Sequence, residues 1–187
     1  MEEASGKDQD RAAAYLEALF RLAGVPPDLM RAVRQHLFLM HQQRHLWSSV
    51  RPGTVESLTK LRAAGLRLGI VSNSDGRVDE ALSAAGLRQY FDVVLDSALV
   101  GIEKPDPAIF QAALDALGVA PEEALYVGDI YEVDVVGAQA AGMEAVLLAE
   151  CAEPGHPCRT APSIHDLVNT LLQPENSMTP TTRTGTS

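Results

Sequence analysis

Apolar residues at Ala12, Leu16, Leu19, Phe20 and Ala23 recur at helical spacing, which predicts a helix over 10–24 stopped by Gly24. Pro26-Pro27-Asp28 opens a second helix that runs to about Trp47, with Leu29, Val33, Leu37 and Met40 on one face. After Arg51-Pro52-Gly53 the rhythm changes. Thr54 can cap a helix carrying Val55, Leu58 and Leu61, and Gly65 can end it. Short apolar runs then alternate with helical segments. The expected elements are a strand over Leu66–Val71, a helix from about Arg77 to Ala85, a strand over Val93–Leu95 and a helix over Pro107–Leu117. A strand over Leu125–Val127, a helix over Asp134–Ala141, a strand over Ala145–Leu148 and a last helix over Ser163–Leu172 complete the pattern.

Strands that are continuous apolar runs between helices predict an α/β fold, a three-layer, doubly wound parallel sheet of Rossmann-like type. Ligands of such sheets bind beyond the carboxyl ends of the strands. The chemically capable residues fall there: Ser72 and Asn73 after the first strand, Lys104 in the loop after the second, Asp129 after the third. The chain divides into a polar arm over 1–9, a helical segment over 10–50 and an α/β core over 51–172. The segment 173–187, rich in Pro, Thr, Ser and Gly, has too little apolar area to offset ordering and is expected to be disordered.

Composition narrows the partners. Apolar residues make up 46% and charged residues 21% of the 187 positions, an ordinary globular mixture. The formal charge of -10 disfavours nucleic acid and anionic membranes, both of which need Lys and Arg contacts. It does not exclude an anionic substrate, because a bound cation reverses the local sign. No apolar run is long enough to span a bilayer, and the acidic start, MEEASGKDQD, is unlike a secretory signal, so a cytoplasmic setting is expected. Cys151 and Cys158 do not make a disulfide framework.

Ser72-Asn73, in IVSNSD, place a hydroxyl and backbone N–H groups at a strand end, where they can hold a phosphoryl oxygen; a plain loop turn is the alternative. Lys104, in GIEKPDPAIF, stands where Lys-Pro-Asp-Pro fixes the backbone ahead of a helix, so its ammonium can neutralise charge on a transferring group; a solvated lysine is the alternative. Asp129 and Asp134, in YVGDIYEVD, can converge on one Mg²⁺, an ion that takes one or two carboxylates and keeps several waters. A loop charge and a helix cap are the alternatives for these two, and for Asp134 both roles can coexist.

In order and spacing, SNSD, the Lys of EKPDPAIF, and VGDIYEVD followed by GAQAAGM resemble the haloacid dehalogenase superfamily, in its phosphatase-like branch with a helical cap. The resemblance runs from about Arg51 to Leu148. It implies that Ser72 and Asn73 bind the phosphoryl group, that Lys104 stabilises its charge, and that Asp129 holds Mg²⁺ with help from Asp134. It further implies that 10–50 is part of a helical cap and that the substrate is a small phosphorylated metabolite.

Phosphatases of that family attack phosphorus with an aspartate at the end of a first, central strand, followed two residues on by a second aspartate that serves as general acid and base. No such strand precedes the helices here. Asp8-Gln9-Asp10 has the spacing, but EEASGK before it is too polar for a buried strand, and no nucleophile is assigned. The expectation is thus a core lacking its first strand. A truncated or late-started reading frame is the favoured explanation, ahead of a two-chain enzyme or a non-catalytic relative. A haloacid dehalogenase is a weaker alternative, since the family's dehalogenases do not use Mg²⁺. Cys151, His156 and Cys158 lack a fourth ligand for zinc. His36, His41 and His45 lie about a helical turn apart and are read as a polar helix face.

Overall fold

The computed structural model describes residues 14–43, 49–148 and 156–173. The polar arm with Asp8 and Asp10, His45, Cys151 and nearly all of the expected tail lie outside these residues.

Two helices come first: α1 over 14–22, and α2, Met30–Gln43. An ion pair between Glu17 and Arg34 ties them together. Their packing is one-sided. Met30 is buried, whereas Leu19, Leu29 and Met40, expected to face inward, are exposed.

The core begins with α3 (Thr54–Ala63), then β1 (Gly69–Ser72) and α4 (Val78–Ala84). It continues with β2 (Val93–Asp96), α5 (Ser97–Val100), α6 (Pro107–Leu117) and β3 (Leu125–Gly128). One turn of π-helix over Tyr131–Val135 runs into α7 (Val136–Ala140), followed by β4 (Glu144–Leu148), β5 (Arg159–Ala161) and α8 (Ile164–Leu171). The expected alternation is present. Thr54, expected as a cap, is instead the first helical residue; Gly53 holds the cap position with φ 81° and no side-chain bond. β5 was not foreseen: three residues, only Ala161 of them buried, carry no readable period.

Every strand pair is parallel: β1 with β2, β3 with β4, β4 with β5. Side-chain alternation along β4 shows both faces covered. Ala145 and Leu147 pack with Ile109 and Phe110 of α6 and Val135 and Ala138 before and within α7. Val146, between them, faces Ala161 and Leu167 of β5 and α8. The result is three layers, helix, sheet, helix, as the period of two along a doubly covered strand requires.

The sheet is divided in two. β1-β2 form one part and β3-β4-β5 the other, with no backbone ladder between β1 and β3. Yet one helix layer spans both parts. α6 packs on β1 and β2, and its Phe110 ring meets Tyr126 of β3 edge-on at 4.9 Å. The Tyr126 hydroxyl lies 3.3 Å from the Val71 backbone oxygen of β1, a side chain reaching across where a ladder would run. Among the described residues, no helix is long and apolar enough to cross a membrane.

Candidate active site

The carboxyl ends of β1, β2 and β3 gather one cluster, built from β1 outward. Ser72 ends β1, and no hydrogen bond of its hydroxyl occurs among the described residues. Asn73 follows and clamps the loop that carries Lys104. Its Oδ1 accepts from the Lys104 backbone N–H at 2.8 Å and its Nδ2 donates to the Lys104 backbone oxygen at 3.0 Å. The Asn73 side chain is thereby spent on positioning Lys104, and its backbone N–H is what remains for a phosphoryl oxygen.

Two residues that the sequence reading passed over hold this loop. Asp96, at the end of β2 and 3% exposed, accepts from the backbone N–H groups of Gly76, Val78 and Ala98. Ser97 accepts from the Ser74 N–H at 3.1 Å. A carboxylate taking three N–H bonds fixes the turn after Asn73 against β2. The signal that finds it is an Asp-Ser pair ending an apolar strand, the signature of a helix cap.

Lys104 reaches inward and is 12% exposed. Its Nζ donates to Asp134 Oδ1 at 2.8 Å and to the Tyr126 hydroxyl at 3.1 Å. Asp134, 1% exposed, is fully engaged: Oδ1 also accepts from Tyr126 at 3.2 Å, and Oδ2 accepts from the backbone N–H groups of Asp129 and Ile130 at 3.0 and 2.9 Å. Four donors fill the roughly four acceptor positions of a carboxylate. Burial works to raise the Asp134 pKa, but Lys104, by charge and hydrogen bond, and the two backbone N–H groups outweigh it and hold the group below its ordinary range. Tyr126, read from the sequence only as a strand residue, is thus the third member of this buried group; burial first, then Asp134, keep its hydroxyl protonated.

Gly128 and Gly137 make this packing possible. A Cβ on Gly128 would lie 2.3 Å from the Asp134 Cβ, so only glycine lets the carboxylate sit beneath the strand end. A Cβ on Gly137 would lie 2.6 Å from the Phe110 ring and 2.9 Å from the Pro105 oxygen. The Lys104–Pro105 peptide is cis.

Asp129 lies at the mouth. Its pKa is raised, by partial desolvation first and then by the charge of Asp134. Mg²⁺ takes one or two carboxylates and keeps several waters, so the open Asp129 carboxylate fits the ion. Asp129 is the carboxylate open to an ion; Asp134 is occupied and orients the Asp129 backbone.

The cysteine–histidine loop and the α2 histidines, not read as metal ligands from the sequence, form no metal cluster among their described residues either. Among the described residues there is no group of three or more His, Cys, Asp or Glu placed for a metal. His156 stacks on Tyr131 at 4.1 Å, and Cys158 is a free thiol packed against the core. His36 faces the groove between α1 and α2, while His41 bonds Asp75.

The carboxyl ends of the parallel strands thus collect a hydroxyl, a held lysine and an aspartate pair on an α/β fold. The sequence profile of the haloacid dehalogenase-like hydrolases matches residues 9–142, and the chain belongs to that family. It is 44% identical over 131 residues to the mouse (Mus musculus) haloacid dehalogenase-like hydrolase domain-containing protein 3, covering 70% of this chain and 52% of that protein. It is 38% identical over 151 residues to a phosphoserine phosphatase of Thermus thermophilus, covering 78% of this chain and 59% of that protein. Among solved structures, a phosphatase of the family from Thermococcus onnurineus superposes with a TM-score of 0.62 at 36% identity, over 66% of this chain and 58% of that one. The chain spans little more than half the length of these relatives.

Proposed function

We propose that this chain carries most of the site of a Mg²⁺-dependent phosphohydrolase acting on a small phosphomonoester, and that the complete site includes one more strand, as part of a longer parent. The observation that carries this reading is the break between β1 and β3. It opens at its carboxyl end onto Ser72, Lys104 and Asp129. A strand inserted there would end beside the cluster, and the resemblance to the family implies that it carries an aspartate.

The roles follow from the geometry. Ser72 and the Asn73 backbone N–H hold phosphoryl oxygens. Lys104, aimed by Asn73 and braced by Asp134 and Tyr126, offsets negative charge on the attacking carboxylate and the transferring group. Asp129, with Asp134 behind it, would hold Mg²⁺, which would supply further charge neutralisation. The inserted aspartate would attack phosphorus, forming an aspartyl-phosphate as the alcohol leaves with a proton from a general acid. Water then cleaves that acyl phosphate and regenerates the carboxylate. α1 and α2 are read as part of a cap over this cluster.

Binding tests this reading without requiring turnover. In titration calorimetry with Mg²⁺ present, the purified chain should bind orthophosphate, and Lys104→Ala should abolish the heat. A folded chain that takes up neither phosphate nor Mg²⁺ would refute it. A second reading is a non-catalytic binder of phosphate and metal. It is favoured by the absence, among the described residues, of a carboxylate where the attack must start.

A further inference from the structure

We infer that the Asp96–Ser97 pair at the end of β2 positions the phosphoryl grip, holding the Asn73 backbone N–H and the Lys104 ammonium in fixed relation to one another. This rests on the phosphohydrolase reading above. The two halves of the grip come from separate segments. Ser72 and Asn73 leave β1 into the loop that runs to α4, and Lys104 lies in the loop that continues from β2 through α5. Asp96 stands at the head of the second segment and bonds to both. Its Oδ1 accepts from the Ala98 N–H at 3.1 Å, capping α5, and from the Gly76 N–H at 3.0 Å. Its Oδ2 accepts at 3.2 Å from the N–H of Val78, the first residue of α4. The N-cap of α4 is Arg77, whose side chain makes no capping bond, so Asp96 supplies that cap from another strand. Gly76 presents its N–H at φ 91°, a left-handed turn that favours glycine. Ser97 adds a fourth tie, its Oγ accepting from the Ser74 N–H at 3.1 Å.

These bonds close a ring. From Asp96 the backbone runs through α5 to Lys104, whose N–H and carbonyl oxygen are clamped by the Asn73 side chain. Asn73 leads through Ser74–Val78 back to Asp96. Asp96 and Ser97 are each 3% exposed, so neither has surface with which to meet a ligand, and their effect is one of position. The loop does not hold its own shape: Ser74, Asp75 and Gly76 are turn formers that belong to no helix or strand. An anion that binds backbone N–H groups gains most when they are oriented before it arrives; otherwise its binding bears the entropy of ordering them. The metal-holding half stands outside the ring. The Asp134 carboxylate bonds to Lys104, Tyr126 and the N–H groups of Asp129 and Ile130, and none of these bonds reaches Ser74–Val78. Loosening the ring therefore weakens the phosphate site and spares the Mg²⁺ site.

The test is calorimetric titration of the whole chain with two probes, Mg²⁺ alone and orthophosphate at saturating Mg²⁺. It compares the native chain with Asp96→Asn, Asp96→Ala and Ser97→Ala, each checked for fold by circular dichroism. Asn keeps an oxygen for the Gly76 and Ala98 N–H groups but turns an amide donor toward the Val78 N–H. One hydrogen bond to a charged acceptor corresponds to about tenfold in an equilibrium constant, so Asp96→Asn should bind orthophosphate about tenfold more weakly than the native chain, and Asp96→Ala more weakly still. Ser97→Ala removes only a neutral hydroxyl and carries the test should the Asp96 variants not fold; it should weaken orthophosphate binding about threefold. Mg²⁺ affinity should stay within about twofold throughout, as for independent sites. Unchanged orthophosphate affinity in the folded variants would overturn the proposal while leaving the phosphohydrolase reading standing. So would a Mg²⁺ affinity that falls in step with that for orthophosphate, because the pair would then only support the fold. If the native chain does not bind orthophosphate, both readings fall.

Discussion

Replacing Lys104 by Met keeps the length of the side chain and removes its charge. In the native site Lys104 is 12% and Asp134 2% exposed, 2.8 Å apart. Removing one partner of a buried ion pair costs about 3–5 kcal/mol, because the other charge stays buried. Asp134 keeps the Tyr126 hydroxyl and two backbone N–H groups, which places the cost near the lower end, about 3 kcal/mol. That is a large share of the roughly 5–15 kcal/mol that holds a domain together. At this chain length it corresponds to a fall in Tm of about 6–12 °C. The sign with pH is also fixed. Native Asp134 has a lowered pKa, so its contribution is present above the unfolded carboxylate range and is lost as pH falls through the lowered value. In Lys104→Met the burial penalty dominates and the Asp134 pKa rises. The deficit should then shrink as the solution is acidified and Asp134 takes up a proton. Urea unfolding followed by circular dichroism at neutral and mildly acidic pH measures both. A loss below about 1 kcal/mol at neutral pH, the scale of an exposed pair, would refute the reasoning.

Three further outcomes are expected. Gly128→Ala forces a Cβ onto Asp134 and should destabilise by about 1–3 kcal/mol while removing Mg²⁺ binding, read by denaturant unfolding and by calorimetry. Asp129→Asn relieves a carboxylate whose pKa is raised, so the metal-free variant should melt no lower than the native chain, and added Mg²⁺ should no longer raise its Tm; in the native chain Mg²⁺ affinity should fall as pH drops through that raised pKa. Asn73→Ala loses both bonds to the Lys104 backbone, costing about 1–3 kcal/mol of stability, and should weaken orthophosphate binding as Lys104 loses its aim.

Where local chemistry decides, the fold could be read from the chain. α6 begins and ends where Asp106, Pro107 and Gly118 say it should, because cap, first turn and left-handed stop are all local. The alternation of apolar runs likewise announces the parallel strands, since strands covered on both faces need apolar residues throughout. β5 escapes because it is pinned by pairing with β4 rather than by its own residues. The helix read as starting at Asp134 is in fact entered through a π-turn, set by the demand that Asp134 tuck under Gly128. At the site, residue types and spacing pointed to Lys104, Asp129 and Asp134. They did not tell that Asn73 clamps the Lys104 backbone, that Tyr126 joins the ion pair, or that Asp96 staples the loop. Each of those depends on contacts between elements far apart in sequence.

The most direct test of the central claim is Mg²⁺-dependent release of phosphate from p-nitrophenyl phosphate by the folded chain, alone and with an added apolar strand peptide ending in Asp-x-Asp. The account predicts no turnover alone, and turnover with the peptide that is lost in Lys104→Ala. Turnover by the chain alone, abolished in Lys104→Ala, would contradict it, because some other carboxylate would then be attacking.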